Sequence, residues 1–203
     1  MPPILSILIC SLRSRAQMLT RLRKHLHAQI MQATDFGGAL PVEVLVRVDD
    51  GQASVGGKRN GLLREARGRY VAFVDDDDWV SSDYVELILA ALRGEPDVVG
   101  IWGELTVDGD ERSARLFHHS LQYQRDGVHP EGTYFRRPNH LNPMRRDIAL
   151  AARFPEIDCG EDAQFAGRVQ AQGKLRRQVE VSDVVYYYRF SPSGTATQQR
   201  RPA

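Results

Sequence analysis

The chain has 203 residues, 27 basic against 26 acidic, a formal charge of +1 and 42% hydrophobic content. That length suits one domain with a sizeable core, and these proportions exclude wholesale disorder. Near-neutral charge argues against a generic nucleic-acid binder, and no apolar run approaches the roughly 20 residues of a membrane span. The start, Met-Pro-Pro-Ile-Leu-Ser-Ile-Leu-Ile-Cys, has no basic segment before its apolar run and reads as a strand, not a signal peptide. Cys10 and Cys159 form no framework of disulfides or zinc ligands, so free thiols and a cytoplasmic location are expected.

In chain order, Ile4 to Cys10 reads as a strand. Met18, Leu19, Leu22, Leu26 and Ile30 then fall at helical spacing. Val42 to Val48 is a β-branched strand that ends in Asp49-Asp50-Gly51. A second helix follows Gly56-Gly57, with Leu62, Leu63 and Ala66 on one side and Gly68 as its stop. Tyr70 to Val74 reads as a strand running directly into Asp75-Asp76-Asp77-Asp78-Trp79. Ser81 or Ser82 is placed to cap a third helix through Leu92. Three strand-helix alternations in about 95 residues predict a mostly parallel sheet with helices on both faces. Beyond Val98 the pattern is mixed: a hairpin turning at Asp108-Gly109-Asp110, a polar loop from His118 to Gly132, a helix near Arg145 to Ala152, another opening at Gly160-Glu161-Asp162, and a strand from Val184 to Phe190.

Ligands of open α/β sheets bind beyond the carboxyl ends of the strands, and two strands here end in acids. Neighbouring carboxylates about 6 Å apart repel by roughly 3 kcal/mol at an effective dielectric near 20, so a partly buried run of four demands a cation. If strand alternation continues, Asp75 and Asp77 share one side and Asp76 and Asp78 the other. A pair of oxygen ligands suits Mg²⁺ or Mn²⁺ holding a nucleotide diphosphate. Read blandly, the run is a solvated loop ahead of a helix N-terminus.

The stretch from Val42 to Leu92, with Asp49-Asp50-Gly51, Arg59-Asn60-Gly61 and Asp75-Asp76-Asp77 in order after the first strand, resembles the nucleotide-sugar half of family 2 glycosyltransferases of the GT-A fold. The resemblance implies a three-layer, Rossmann-like α/β/α domain over residues 1–203, with a nucleotide-sugar-binding half at 1–107 and an acceptor-binding half at 108–203. It implies that Asp49 or Asp50 meets the donor base or ribose and that Lys58, Arg59 and Asn60 lie beside the same pocket. Asp75 and Asp76 fall within the donor site, and Asp77 and Asp75 hold Mn²⁺ or Mg²⁺. Glu161-Asp162 resembles the family's acidic pair, which implies Asp162 as the general base of an inverting transfer, assisted by Glu161. The chain has no histidine after His140, where many relatives supply a late metal ligand; His140 or a water then completes the shell.

The acceptor is left open as glycan, protein or nucleic acid. Residues 136–203 carry 12 basic and 7 acidic groups, a balance of +5 against −4 for the rest, with pairs at Arg136-Arg137, Arg145-Arg146, Arg176-Arg177 and Arg200-Arg201. An anionic acceptor is one reading of that excess; solvated, arginine-rich faces are the other. Two further functions compete. A sugar-phosphate nucleotidyltransferase would want a glycine-rich loop after the first strand, where Ser11-Leu12-Arg13-Ser14-Arg15 stands. A non-catalytic nucleotide-binding module would have no need of Asp77 and Asp162.

Overall fold

The computed structural model describes residues 2–33 and 40–191. Arg200-Arg201 lies outside these described residues. Strands β1 (Leu5–Leu12), β2 (Val42–Asp49) and β3 (Tyr70–Phe73) are parallel neighbours, with β1 in the centre. Helices α1 (Ala16–Gln32), α2 (Val55–Glu65) and α3 (Tyr84–Leu92) connect and follow them. Alternation along β1 sorts the core into two layers. Leu5, Ile7 and Ile9 pack with Leu19, Leu22 and Leu26 of α1 and Ile88 and Leu92 of α3. Leu8 points the opposite way, onto Leu62 and Leu63 of α2. The expected three-layer α/β/α arrangement follows.

The sheet continues through β5 (Val98–Val107) and β6 (Asp110–His119) to β8 (Tyr134–Arg136) and β7 (Gly127–Val128), with the two-residue β9 (Met144–Arg145) between β3 and β5. Helices α4 (Arg146–Ala152) and α5 (Glu161–Ala171) join α2 on the Leu8 side. The long β10 (Gln178–Phe190) runs parallel to β5 and pairs antiparallel with the short β4 (Trp79–Val80). The boundary at residue 107 falls at the tip of the β5–β6 hairpin. There Asp108 and Gly109 have φ of 51° and 76°, the left-handed pair of a type I′ turn.

Several local expectations change. Met18 is 52% exposed and lies off the apolar stripe of α1. Neither Ser81 nor Ser82 caps α3, whose N-cap is Asp83. Instead the side chain of Gln29, buried on α1, accepts from the Val85 amide at 3.0 Å and donates to the Ser81 carbonyl at 2.9 Å. A tertiary contact thus does what a local serine was expected to do. Gly68 is not the stop of α2, which ends at Glu65; a Cβ on Gly68 would lie 2.6 Å from the Ser6 amide of β1. The loop expected from His118 begins only at Ser120, because His118 and His119 complete β6 and are buried.

Burial gives His119 a consequence that can be measured. Desolvation, then the nearby Arg136 cation, pushes its imidazole down to about 3 from 6.5. Unfolding therefore takes up a proton anywhere between these values, and stability falls as pH drops from about 6.5. His119→Gln is expected to flatten that acid slope in urea titrations between pH 6.5 and 4. An unchanged slope would assign the acid sensitivity to other groups.

Candidate active site

The ends of β1, β2 and β3 converge on one electrostatic network. At the end of β2, Asp49 accepts from the backbone amides of Gly51 (3.1 Å) and Ala53 (3.0 Å) and from Lys58 Nζ (2.8 Å). Burial works to raise its pKa, but Lys58 and the two amides outweigh it and hold the carboxyl below its usual range. Lys58, itself buried, also reaches the Ser11 carbonyl at 3.3 Å. These two residues, expected beside the nucleotide, lock the loop after β2 to the end of β1. Asp50 is the exposed member of the acid pair and meets Arg13 at 2.8 Å. Asn60 is likewise internal: its amide donates to the Phe154 carbonyl and accepts from the Phe154 amide, both at 2.9 Å. Both ends of that side chain are thus occupied by the Phe154 backbone.

The aspartate run does not continue the alternation of β3. The Asp78 amide donates to the Asp75 carbonyl at 3.1 Å, closing a turn that sends the four side chains to separate partners. Asp75 takes Arg59 Nη2 at 2.9 Å and lies 3.5 Å from His140 Nε2. Asp76 is buried and accepts from Ser11 Oγ (2.6 Å) and Arg15 (2.8 Å). Asp77 shares Arg15 at 3.0 Å. Asp78 accepts from the Tyr186 hydroxyl at 2.8 Å and the Arg189 amide at 3.1 Å. Tyr186 also accepts from the Asp75 amide at 3.2 Å, so β10 braces the turn from behind.

Charge is unevenly compensated across this turn. Burial would raise Asp75, but Arg59 and then His140 overcome it and hold that carboxyl well below the usual range. Asp77 is raised, first by burial and then by the charges of Asp75 and Asp76, although Arg15 opposes the shift. Asp78 is raised well above its usual value by burial and then by the charges of Asp75 and Asp77. Beneath the turn, burial pushes the Cys10 thiol up to about 12, which makes it unreactive.

Helix α5 brings the acidic pair to this network. Gly160, at φ 77°, starts the helix, and Glu161 and Asp162 occupy its first turn. Glu161 is buried, 3.6 Å from Arg59, and burial raises its pKa against the pull of that guanidinium. Asp162 is half-buried, and its carboxylate takes no hydrogen bond or ion pair among the described residues. Arg59 therefore bridges the donor-side acid Asp75 and the α5 acid Glu161. It is sandwiched near Phe73 and Phe154, whose ring centroids lie 5.4 and 5.5 Å from its Cζ.

Divalent-cation binding can be tested against these groups. Among the described residues no three His, Cys, Asp or Glu side chains converge on a common point, so the expected set of Asp77, Asp75 and His140 is not preassembled. His140 is buried against Asp75, and its Nδ1 has no hydrogen-bond partner among the described residues. Two carboxylates do fit such an ion. Asp77 is partly exposed, and the negative charge of Asp75 and Asp76 crowded around it favours a bound cation. Reading the sequence alone misses Ser11, Arg15 and Tyr186. Arg15 and Ser11 follow a strand in a segment with no recognisable motif, and Tyr186 sits in an aromatic run indistinguishable from core.

Comparison with known proteins places this arrangement. The profile of glycosyl transferase family 2 matches residues 40–153, more than half of the chain. EpsH of Bacillus subtilis is 42% identical over 45 residues, covering 22% of this chain and 13% of EpsH. The minor teichoic acid biosynthesis protein GgaB of the same organism is 27% identical over 161 residues, covering 73% of this chain and 17% of GgaB. Among solved structures, residues 1–349 of S. aureus TarS in complex with UDP-GlcNAc superpose with a TM-score of 0.63 at 15% identity, over 98% of this chain and 61% of that one. The UDP complex gives 0.64 at 19%, over 93% and 61%. The chain thus spans under a fifth of those two curated relatives and about three-fifths of the TarS chain, whose likeness is one of GT-A fold. On the profile match, the chain belongs to glycosyl transferase family 2.

Proposed function

We propose that this chain transfers a sugar from a nucleotide-diphosphate sugar to an acceptor hydroxyl, with inversion at the anomeric carbon. One observation carries the reading: the Arg59 bridge puts the acidic turn after β3 and the α5 acid pair within a single network. A uridine nucleotide is the first donor to test, since TarS was solved with UDP and UDP-GlcNAc.

In this reading Asp162 accepts the proton of the acceptor hydroxyl as its oxygen bonds to the anomeric carbon. The bond from that carbon to the diphosphate breaks, and the nucleoside diphosphate leaves. Glu161, held by Arg59, fixes the start of α5 and so the position of Asp162. Asp77 and Asp75 would hold Mn²⁺ or Mg²⁺, with His140 acting on Asp75 and not as a third ligand. Such an ion supplies charge stabilisation to the departing diphosphate. Asp50, at the exposed mouth of the β2 loop, is the better placed of the two acids for the base or ribose. Among the described residues no helix is long and apolar enough to cross a membrane.

Thermal shift tests the donor site. UDP with Mn²⁺ is expected to raise the melting temperature by mass action, and UDP with EDTA to raise it much less. Asp77→Asn should remove the metal-dependent part of the shift. Should no nucleoside diphosphate shift the wild type, or should the variant respond equally to Mn²⁺, the donor reading fails.

A further inference from the structure

Several arginines of residues 136–203 have internal partners. Arg137 pairs with Asp126 and Gln170, Arg145 with Asp97 and Asp147, Arg146 with the carbonyls of Leu63 and Arg64, and Arg177 with the Gly94 carbonyl. Arg176 differs. Its backbone amide is pinned to Asp97 at 2.9 Å, while its guanidinium takes no hydrogen bond or ion pair among the described residues. It borders a cavity of about 480 Å³, together with Trp102, His118, Gln122, Gln178 and Glu180.

That cavity is chemically mixed and cross-linked by hydrogen bonds. Trp102 of β5 stacks on His118 of β6, with ring centroids 4.2 Å apart and planes 4° from parallel. His118 Nε2 pairs with Glu180 Oε1 at 2.7 Å, and its Nδ1 with the Tyr123 hydroxyl at 2.9 Å. Gln178 donates to Glu180 Oε2 (2.6 Å) and Ser120 Oγ (2.9 Å) and accepts from the Leu121 amide (2.6 Å). Gly100 leaves the space that Gln178 and Glu180 fill; a Cβ there would collide with both. None of these groups belongs to the acidic turn or to the Arg59 network.

We propose that this cavity binds one saccharide unit of the acceptor. An indole offers a flat apolar surface to the C–H face of a sugar ring. Around it stand the Glu180 carboxylate, held by His118 and Gln178 and able to accept from hydroxyls, and the Arg176 guanidinium, able to donate to them. Its volume lies within the range of small-ligand sites. Trp102 and Glu180 line the sheet face that α5 also covers, through the shared alignment of Val98, Gly100 and Trp102 along β5. An acceptor reaching Asp162 at the head of α5 can therefore keep a further unit on the same face. The identification of that unit as acceptor rests on the transfer reading above; saccharide binding itself does not.

The chain's two tryptophans separate the two ideas. Trp79 directly follows the acidic turn and stacks on His25, whereas Trp102 borders the cavity. In ¹H–¹⁵N spectra the two indole signals are assigned with Trp102→Phe. Trehalose, cellobiose, chitobiose and trehalose 6-phosphate are then titrated to ~20 mM, a range that captures millimolar dissociation constants. At least one is expected to move the Trp102 signal saturably and leave Trp79 in place, and Glu180→Gln and Arg176→Ala should each weaken it about tenfold, a 1.4 kcal/mol change. UDP with Mn²⁺ should move Trp79 instead. If none of the four moves Trp102, or if both variants bind as the wild type does, the cavity is not a saccharide site. If Trp79 ignores UDP while Trp102 responds, the donor reading falls and the saccharide site stands without its acceptor role.

Discussion

Asp162→Asn is expected to bind UDP with Mn²⁺ as the wild type does and to lose transfer by roughly 10²–10⁴-fold, the usual contribution of a positioned general base. The substitution keeps size and hydrogen-bonding shape and removes only the ability to take a proton. Because the Asp162 carboxylate has no hydrogen-bond or ion-pair partner among the described residues, no internal contact is broken by the change. That freedom distinguishes it from Glu161, which is buried next to Arg59. Glu161→Gln removes a charge that Arg59 faces, so it should lower stability as well as transfer. Single-turnover measurements with saturating donor separate the cases. If Asp162→Asn transfers normally while Glu161→Gln does not, the base is Glu161.

The sequence already shows the layers of the fold, because burial follows period. The odd and even positions of β1 go to different faces, and the stripe of α1 is the one its leucines predict, apart from Met18. Chain ends of elements were less legible wherever a distant group supplied the cap, as Gln29 does for α3. The acids of the site were visible as a motif, but their directions were not. Strand alternation fails at Asp75 because a turn closes between Asp75 and Asp78, and that turn is held by Ser11, Arg15 and Tyr186, which come from 60 or more residues away. Side-chain pairing of this kind carries no periodicity for a linear reading to detect. The same holds for Lys58 and Asn60: the motif locates them near the site, and only tertiary contacts show that they are internal struts.

Arg59→Met is expected to cost about 3–5 kcal/mol at pH 7.5, the range for removing one partner of a buried ion pair. Methionine fills much of the space between Phe73 and Phe154, so the loss reports charge more than volume. For a chain of this size it corresponds to a fall in melting temperature of roughly 6–20 °C. The dependence on pH identifies the cause. In the wild type Arg59 holds Asp75 ionised, so its contribution is present above the ordinary aspartate range and is lost as pH falls through the depressed folded value. In the variant the partly buried Asp75 and the buried Glu161 lose that guanidinium, and their folded values rise. Such groups lose stability as pH increases, and at pH 4.5 they bind protons and the penalty shrinks. The deficit measured by urea unfolding in EDTA should therefore be larger at pH 7.5 than at pH 4.5. Arg59→Lys, which keeps the charge but cannot span both carboxylates, should recover part of the stability at pH 7.5 and little of the transfer. A deficit equal at both pH values would show that Arg59 serves by packing against the two phenylalanines, and the coupling of Asp75 to the α5 acids would then have to run through His140.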